Sequence, residues 1–211
     1  MSRARTAPDN APTMTEHPLQ PDADPVTEEQ MRAAWVGEMP SLTGRVEVRE
    51  YDPGWPRLYE REAARLRGVL GERVLALDHV GSTAVPGLPA KPVIDIDLTL
   101  ADSADEAAYL PLLEAAGYRL VVREPDWHEH RMFKGPDTNI NLHVWTPGSP
   151  EAARHLIFRD WLRSTPEDRR RYGELKLALS EQDFAYVHEY NNAKAPLILE
   201  IYARALAAGG R

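Results

Sequence analysis

Two short stretches hold the residues best suited to chemistry. The first is His79-Val80-Gly81-Ser82-Thr83, a tight turn carrying hydroxyls. The second is Lys91-Pro92-Val93-Ile94-Asp95-Ile96-Asp97-Leu98, an apolar run carrying two acids. Read as a strand, the second run sends alternate side chains to opposite faces. Asp95 and Asp97 then project together, while Ile94, Ile96 and Leu98 point the other way. Two carboxylates side by side on an apolar strand are unfavourable unless positive charge lies between them. A divalent metal ion is the usual source of that charge. The spacing therefore predicts a metal pair, Asp95 and Asp97, beside a turn at Gly81-Ser82.

A sheet must position these residues, and the rest of the chain supplies its parts. Residues 1–26, rich in Pro, Asp, Ala and Thr and without apolar period, read as a disordered arm. Residues 27–44 read as a short helical lead-in, with Thr27 and Gln30 spaced as a capping box. Residues 45–150 form the expected α/β core. Val46, Val48 and Tyr51 predict a short strand, and Leu58, Ala63, Leu66 and Leu70 mark one face of a helix over 56–70. Strands are expected over 73–80, 93–100 and 118–123, with a helix over 105–117 between the last two. Strands 130–134 and 139–145 flank a hairpin turn at Gly135-Pro136-Asp137-Thr138. Residues 151–211 read as a C-terminal helical segment with helices over 151–163, 166–180 and 183–208 and a break near Asn191. The fold class is α+β, a mixed β-sheet with flanking helices followed by helices alone.

Bulk properties narrow the partners. The 211-residue chain has 33 acidic and 25 basic side chains, a formal net charge of −8. That balance disfavours a nucleic-acid backbone as partner, which needs a basic face. With no cysteine, disulfides and thiolate metal sites are ruled out. No apolar run reaches the roughly 20 residues of a membrane span, and the N-terminus has no basic-then-apolar signal. The expectation is a cytoplasmic protein without a membrane partner. No ligand spacing among His79, His128, His130 and His143 supports a zinc site.

The pattern resembles the nucleotidyltransferase superfamily, whose hydrophobic-Gly-Ser turn precedes a strand with two acids one residue apart. Here Val80-Gly81-Ser82 is followed, after twelve residues, by Asp95-Ile96-Asp97. More closely, Tyr51-Asp52-Pro53-Gly54-Trp55-Pro56, His79 to Leu88, Lys91-Pro92, Leu142-His143-Val144 and Phe158-Arg159-Asp160 resemble the GrpB-like branch over about residues 45–208.

The resemblance implies a nucleotidyltransferase-like sheet that binds a nucleoside triphosphate, ATP the leading choice, with Mg²⁺ or Mn²⁺. It implies transfer of a nucleotidyl group to a small-molecule or protein acceptor. By position, Asp95 and Asp97 would hold metal, while Gly81, Ser82 and Thr83 would face the phosphates, with Lys91 and Lys194 adding charge. The superfamily places a third carboxylate on a neighbouring strand, here Ile140 to Val144. Alternation puts Asn141 and His143 on that face, and neither is an acid. A histidine there can bind metal or act as a base. The departure leaves a second reading, a noncatalytic nucleotide-binding or folding-accessory domain on the same scaffold.

Overall fold

The computed structural model describes Leu19, residues 24–42 and residues 45–209. The arm expected over 1–26 lies outside the described residues except for Leu19 and 24–26. Strands β1 (Ala76–Val80), β2 (Ile94–Thr99), β3 (Arg119–Glu124), β4 (His130–Lys134) and β5 (Ile140–Trp145) form one sheet in the order β1-β2-β5-β4-β3. Only β2 and β5 run parallel; the other neighbours are antiparallel. The fold is the expected α+β class.

Alternation decides what each face does. Ile94, Ile96 and Leu98 of β2 and Ile140, Leu142 and Val144 of β5 are buried against α2 (Trp55–Leu70) and α3 (Leu110–Ala115). Each such side chain contributes roughly 1.5–3 kcal/mol by leaving water. The same alternation commits the intervening residues to the opposite face. Register sets Asp95 beside Asn141 and Asp97 beside His143, with Val80 and Asp78 of β1 on their other flank. Met132 pairs with His143 and Val122, extending that face to the β3 edge.

Helices α4 (Pro150–Ser164), α5 (Pro166–Ser180) and α6 (Val187–Gly209) attach through Leu162, Tyr172 and Ile201, which pack on Val85 and Leu88 of the loop after Gly81. The lead-in helix α1 (Glu28–Ala34) starts as expected: the Thr27 hydroxyl accepts from Gln30 N, and Gln30 Oε1 accepts from Thr27 N. Beyond it, Trp35 bridges Val122, and Val36 N donates to Val121 O at 2.9 Å. The lead-in thus runs along the β3 edge and covers Val121, Val122 and Met132.

Three expected elements differ. Residues 45–51 form no strand; Arg49 alone exchanges backbone bonds with Ala90, at 2.9 and 2.8 Å. Pro89 and Pro92, which have no N–H, flank that contact and stop the ladder. The helix expected over 105–117 becomes a 3₁₀ turn at Glu106–Ala108 and then α3. A continuous helix would need an N–H from Pro111 to Ala107, which proline lacks. No break occurs near Asn191, because the Asn192 amide bonds Val26 N and O instead of competing for its own backbone.

Candidate functional site

On the polar face of the sheet lies a cavity of about 600 Å³, walled by β2, β4 and β5, the Gly81 turn, α4, α5, α6 and the lead-in. That volume suits a small-molecule ligand. Gly81 sits at its edge with φ +68°, where a Cβ would lie 2.3 Å from Asp95 Oδ2. Only glycine allows both this backbone and the close approach. Asp95 Oδ1 accepts from Asn141 Nδ2 at 2.7 Å, and Asn141 Oδ1 accepts from Lys134 Nζ at 2.5 Å. Burial raises the Asp95 carboxyl above its usual range, although Asn141, His155, Lys134 and Lys194 act the other way.

The lining around Asp95 is rich in basic side chains. Lys91, Lys134, Lys176, Lys194 and Arg119 line the cavity, against the carboxylates Asp95 and Glu124. Lys194 sits over the Tyr190 ring, its Nζ 4.3 Å from the centroid, and burial pushes its ammonium down to about 8. Lys176 sits over Tyr172 at 4.7 Å. It is 2 % exposed, and its Nζ has no hydrogen-bond partner among the described residues. Burial, then the charge of Lys194, drives the Lys176 ammonium far below its ordinary value. Ser82 lines the cavity, and its hydroxyl acts against the burial that raises the neighbouring Tyr172 phenol. Lys91 and Lys194 also reach the cavity. Thr83 borders it, but its hydroxyl donates to Val93 O at 3.1 Å and meets His79 Nε2 at 3.1 Å. Thr83 therefore braces the turn more than it offers a ligand contact.

The acid pair separates. Asp95 lines the cavity, whereas Asp97 does not: it is 3 % exposed, and its Oδ1 accepts from Trp145 Nε1 at 3.0 Å. His155 Nδ1 of α4 lies 3.1 and 2.9 Å from the two Asp97 oxygens. Burial lowers the His155 imidazole, but the charge and hydrogen bond of Asp97 outweigh it and hold it above its ordinary value.

A second carboxylate-backed imidazole stands next to the first. Glu124 Oε2 is 2.7 Å from His130 Nδ1, and His130 Nε2 is 2.9 Å from His143 Nδ1. The His130 ring stacks on Trp145 with centroids 4.4 Å apart. His143 and His155 both line the cavity, their centroids 5.6 Å apart. Burial, then His130, His155 and Lys134, lowers His143 well below the ordinary imidazole value.

The profile of the GrpB protein family matches residues 45–204. The chain belongs to the GrpB family. A UPF0157 protein of Halalkalibacterium halodurans is 50% identical over 186 residues, covering 88% of this chain and 95% of that protein. One from Streptomyces coelicolor is 42% identical over 159 residues, covering 75% and 83%. A dephospho-CoA kinase of Mycobacterium tuberculosis is 35% identical over 182 residues, but the match spans 73% of this chain and only 44% of the kinase. The crystal structure of conserved protein GrpB from Enterococcus faecalis superposes with TM-score 0.67 at 31% identity, covering 78% of this chain and all of that one.

In this GrpB chain the expected metal pair is not a ready cation site. Magnesium needs several open oxygens in near-octahedral array, but both Asp97 oxygens are engaged by His155 and Trp145, and one Asp95 oxygen accepts from Asn141. Among the described residues no group of three or more His, Asp or Glu is arranged to hold a metal ion. The donor set as folded does not fit the ion on this pair.

Strand alternation brings Gly81, Asp95, Asn141 and His143 together. The pattern in the strands did not reach Lys176, His155, Glu124 or His130. A signal for two of them exists: Tyr172, Lys176 and Leu179 fall at i, i+4 and i+7, as do His155, Phe158 and Leu162 at i, i+3 and i+7. In each helix one polar residue interrupts an otherwise apolar stripe.

Proposed function

We propose that this GrpB-family protein binds a nucleoside triphosphate, ATP the leading choice, with its phosphates against the lysine wall. On a nucleotidyltransferase-like scaffold it would transfer the nucleotidyl group to a small-molecule or protein acceptor, or activate that acceptor. The observation that carries this is Lys176: an amine buried to 2 % exposure, on a residue that lines a cavity of about 600 Å³, with no hydrogen-bond partner among the described residues. Burying such a group without a partner is costly, and an anionic ligand would remove the cost. Gly81 brings the turn backbone close to Asp95, and Ser82 adds a hydroxyl beside the lysines. The relatives named dephospho-CoA kinase are consistent with a nucleotide-related setting.

A divalent ion, Mg²⁺ or Mn²⁺, enters this reading as the companion of the nucleotide's own phosphates. Asp95 is the member of the acid pair that lines the cavity. The engagement of Asp97 favours a second reading, in which the site binds the nucleotide without transferring it.

Titration calorimetry with ATP, in Mg²⁺ and in chelator, tests the binding. Lys176→Met should weaken affinity at least tenfold, about 1.4 kcal/mol. It should also raise the unfolding free energy of the ligand-free protein, since a buried unpaired amine is replaced by a side chain of similar length. No ATP affinity in either condition would overturn the proposal. Sustained pyrophosphate release over a panel of alcohols and amines would reject the binding-only reading.

A further inference from the structure

Glu124, His130 and His143 form a chain from the β3 edge to the cavity, and with both imidazoles neutral its order of atoms sets where the protons sit. A carboxylate only accepts, so His130 Nδ1 carries the proton in the 2.7 Å contact with Glu124. Neutral His130 then presents a bare Nε2 and accepts from His143 Nδ1 at 2.9 Å. Neutral His143 has one ring proton, and it is spent in that bond. Its Nε2 is left with a free lone pair, and no hydrogen bond to that atom occurs among the described residues. The ring lines the cavity one strand from Asp95. His130 is held by stacking on Trp145 and by burial to 5 % exposure, so the middle of the chain has little freedom.

We propose that His143 Nε2 is the proton acceptor of this site, with Glu124 and His130 as the positioning residues that fix its tautomer. The inference rests on the nucleotide reading above. In the step, an acceptor O–H or N–H gives its proton to His143 Nε2. The freed lone pair forms a bond to the α-phosphorus. The bond from that phosphorus to the bridging oxygen breaks, and its electron pair leaves with pyrophosphate, whose charge meets the lysine wall. The imidazolium formed at His143 is stabilised through His130 by Glu124. A base oriented by another group that is itself held by a carboxylate is the general logic of activated nucleophiles. It also gives a use to a strand position where an acid was expected.

Imidazole proton–nitrogen NMR on the full-length ¹⁵N-labelled protein near neutral pH tests this, with His143→Gln supplying the assignment. The expected His143 signature is a protonated Nδ1 and a bare Nε2. Glu124→Ala and His130→Phe should each convert a large share of His143 to the opposite tautomer without a change in fold. If either variant fails to fold, the wild-type spectrum still decides. A His143 protonated at Nε2 in the wild type would overturn the inference. So would an Nε2 resonance that stays still when calorimetry shows ATP bound. Absence of ATP binding would instead refute the nucleotide reading, leaving the tautomer result to confirm or reject the relay itself.

Discussion

Gly81 and Asp95 are the two residues whose contact is hardest to replace. The glycine has φ +68°, and an added Cβ would sit 2.3 Å from Asp95 Oδ2. Gly81→Ala therefore meets two separate penalties, backbone strain of about 1–3 kcal/mol and a collision with the carboxylate. A double-mutant cycle with Asp95→Ala largely separates them, because the second change removes the 2.3 Å clash with the carboxylate oxygen while the strain and the 3.0 Å approach to the Asp95 Cβ remain. Urea unfolding should show Gly81→Ala destabilised by at least about 2 kcal/mol. Asp95→Ala should restore about 1 kcal/mol or more of it as coupling between neighbours. Strict additivity would show that the carboxylate does not feel the turn. Much of this contact was legible in advance. The Gly-Ser turn and the alternation of 94–98 name Gly81 and Asp95 directly. The fate of Asp97 was not legible, because its partner His155 comes from α4, 58 residues away. A two-residue period says which face a side chain takes, but not which helix later packs on it.

At the scale of elements, the lead-in forms part of the cavity wall. Met31, Trp35, Met39 and Pro40 also line the cavity, so apolar side chains share its lining with the lysines. The lead-in is held by Val36 on Val121, by Arg32 on the Tyr186 hydroxyl at 2.9 Å, and by Asn192. The Asn192 amide accepts from Val26 N at 3.1 Å and donates to Val26 O at 2.8 Å. Asn192→Ala should remove both bonds at about 1 kcal/mol each, less where water replaces them. Hydrogen exchange should then quicken in α1 by roughly tenfold while β2 and β5 stay unchanged. Equal quickening throughout would mean that the lead-in and the sheet open as one unit. The capping box at Thr27 made α1 readable from sequence, because that signal is local. Its docking on the β3 edge was not readable, since one backbone bridge at Trp35 carries no side-chain pattern. The same limit explains the unbroken helix at Asn191: the turn preference of its neighbour Asn192 was overridden by a partner 166 residues away.

Over the whole molecule, a formal charge of −8 surrounds a lysine-walled cavity, and two buried groups link that arrangement to pH. His79 stacks on Tyr59 with centroids 4.9 Å apart, and burial, then Arg163 and Arg159, lowers it from 6.5 to about 4. Between those values the unfolded chain binds more protons than the folded one. Stability therefore rises with pH through the window and is lost as pH falls from 6.5 toward 4, by up to about 3 kcal/mol. Lys194 behaves alike at the other end. Burial lowers it from 10.5 to about 8, with Asp95 opposing and Lys91 adding to the shift. The folded chain again binds fewer protons between those values, so the ligand-free protein gains stability as pH rises from 8 to 10.5. A bound polyphosphate reverses this limb, because the anion holds Lys194 charged and binding takes up a proton above pH 8. Melting temperature read with and without pyrophosphate should show the ligand's increment largest below pH 8 and shrinking above it. Lys194→Gln should flatten both the ligand-free rise and the decline of the increment. The acid limb from His79, which lies on the opposite face of the sheet from the cavity, should remain in that variant. An increment constant from pH 8 to 10.5 would place Lys194 outside the anion's reach.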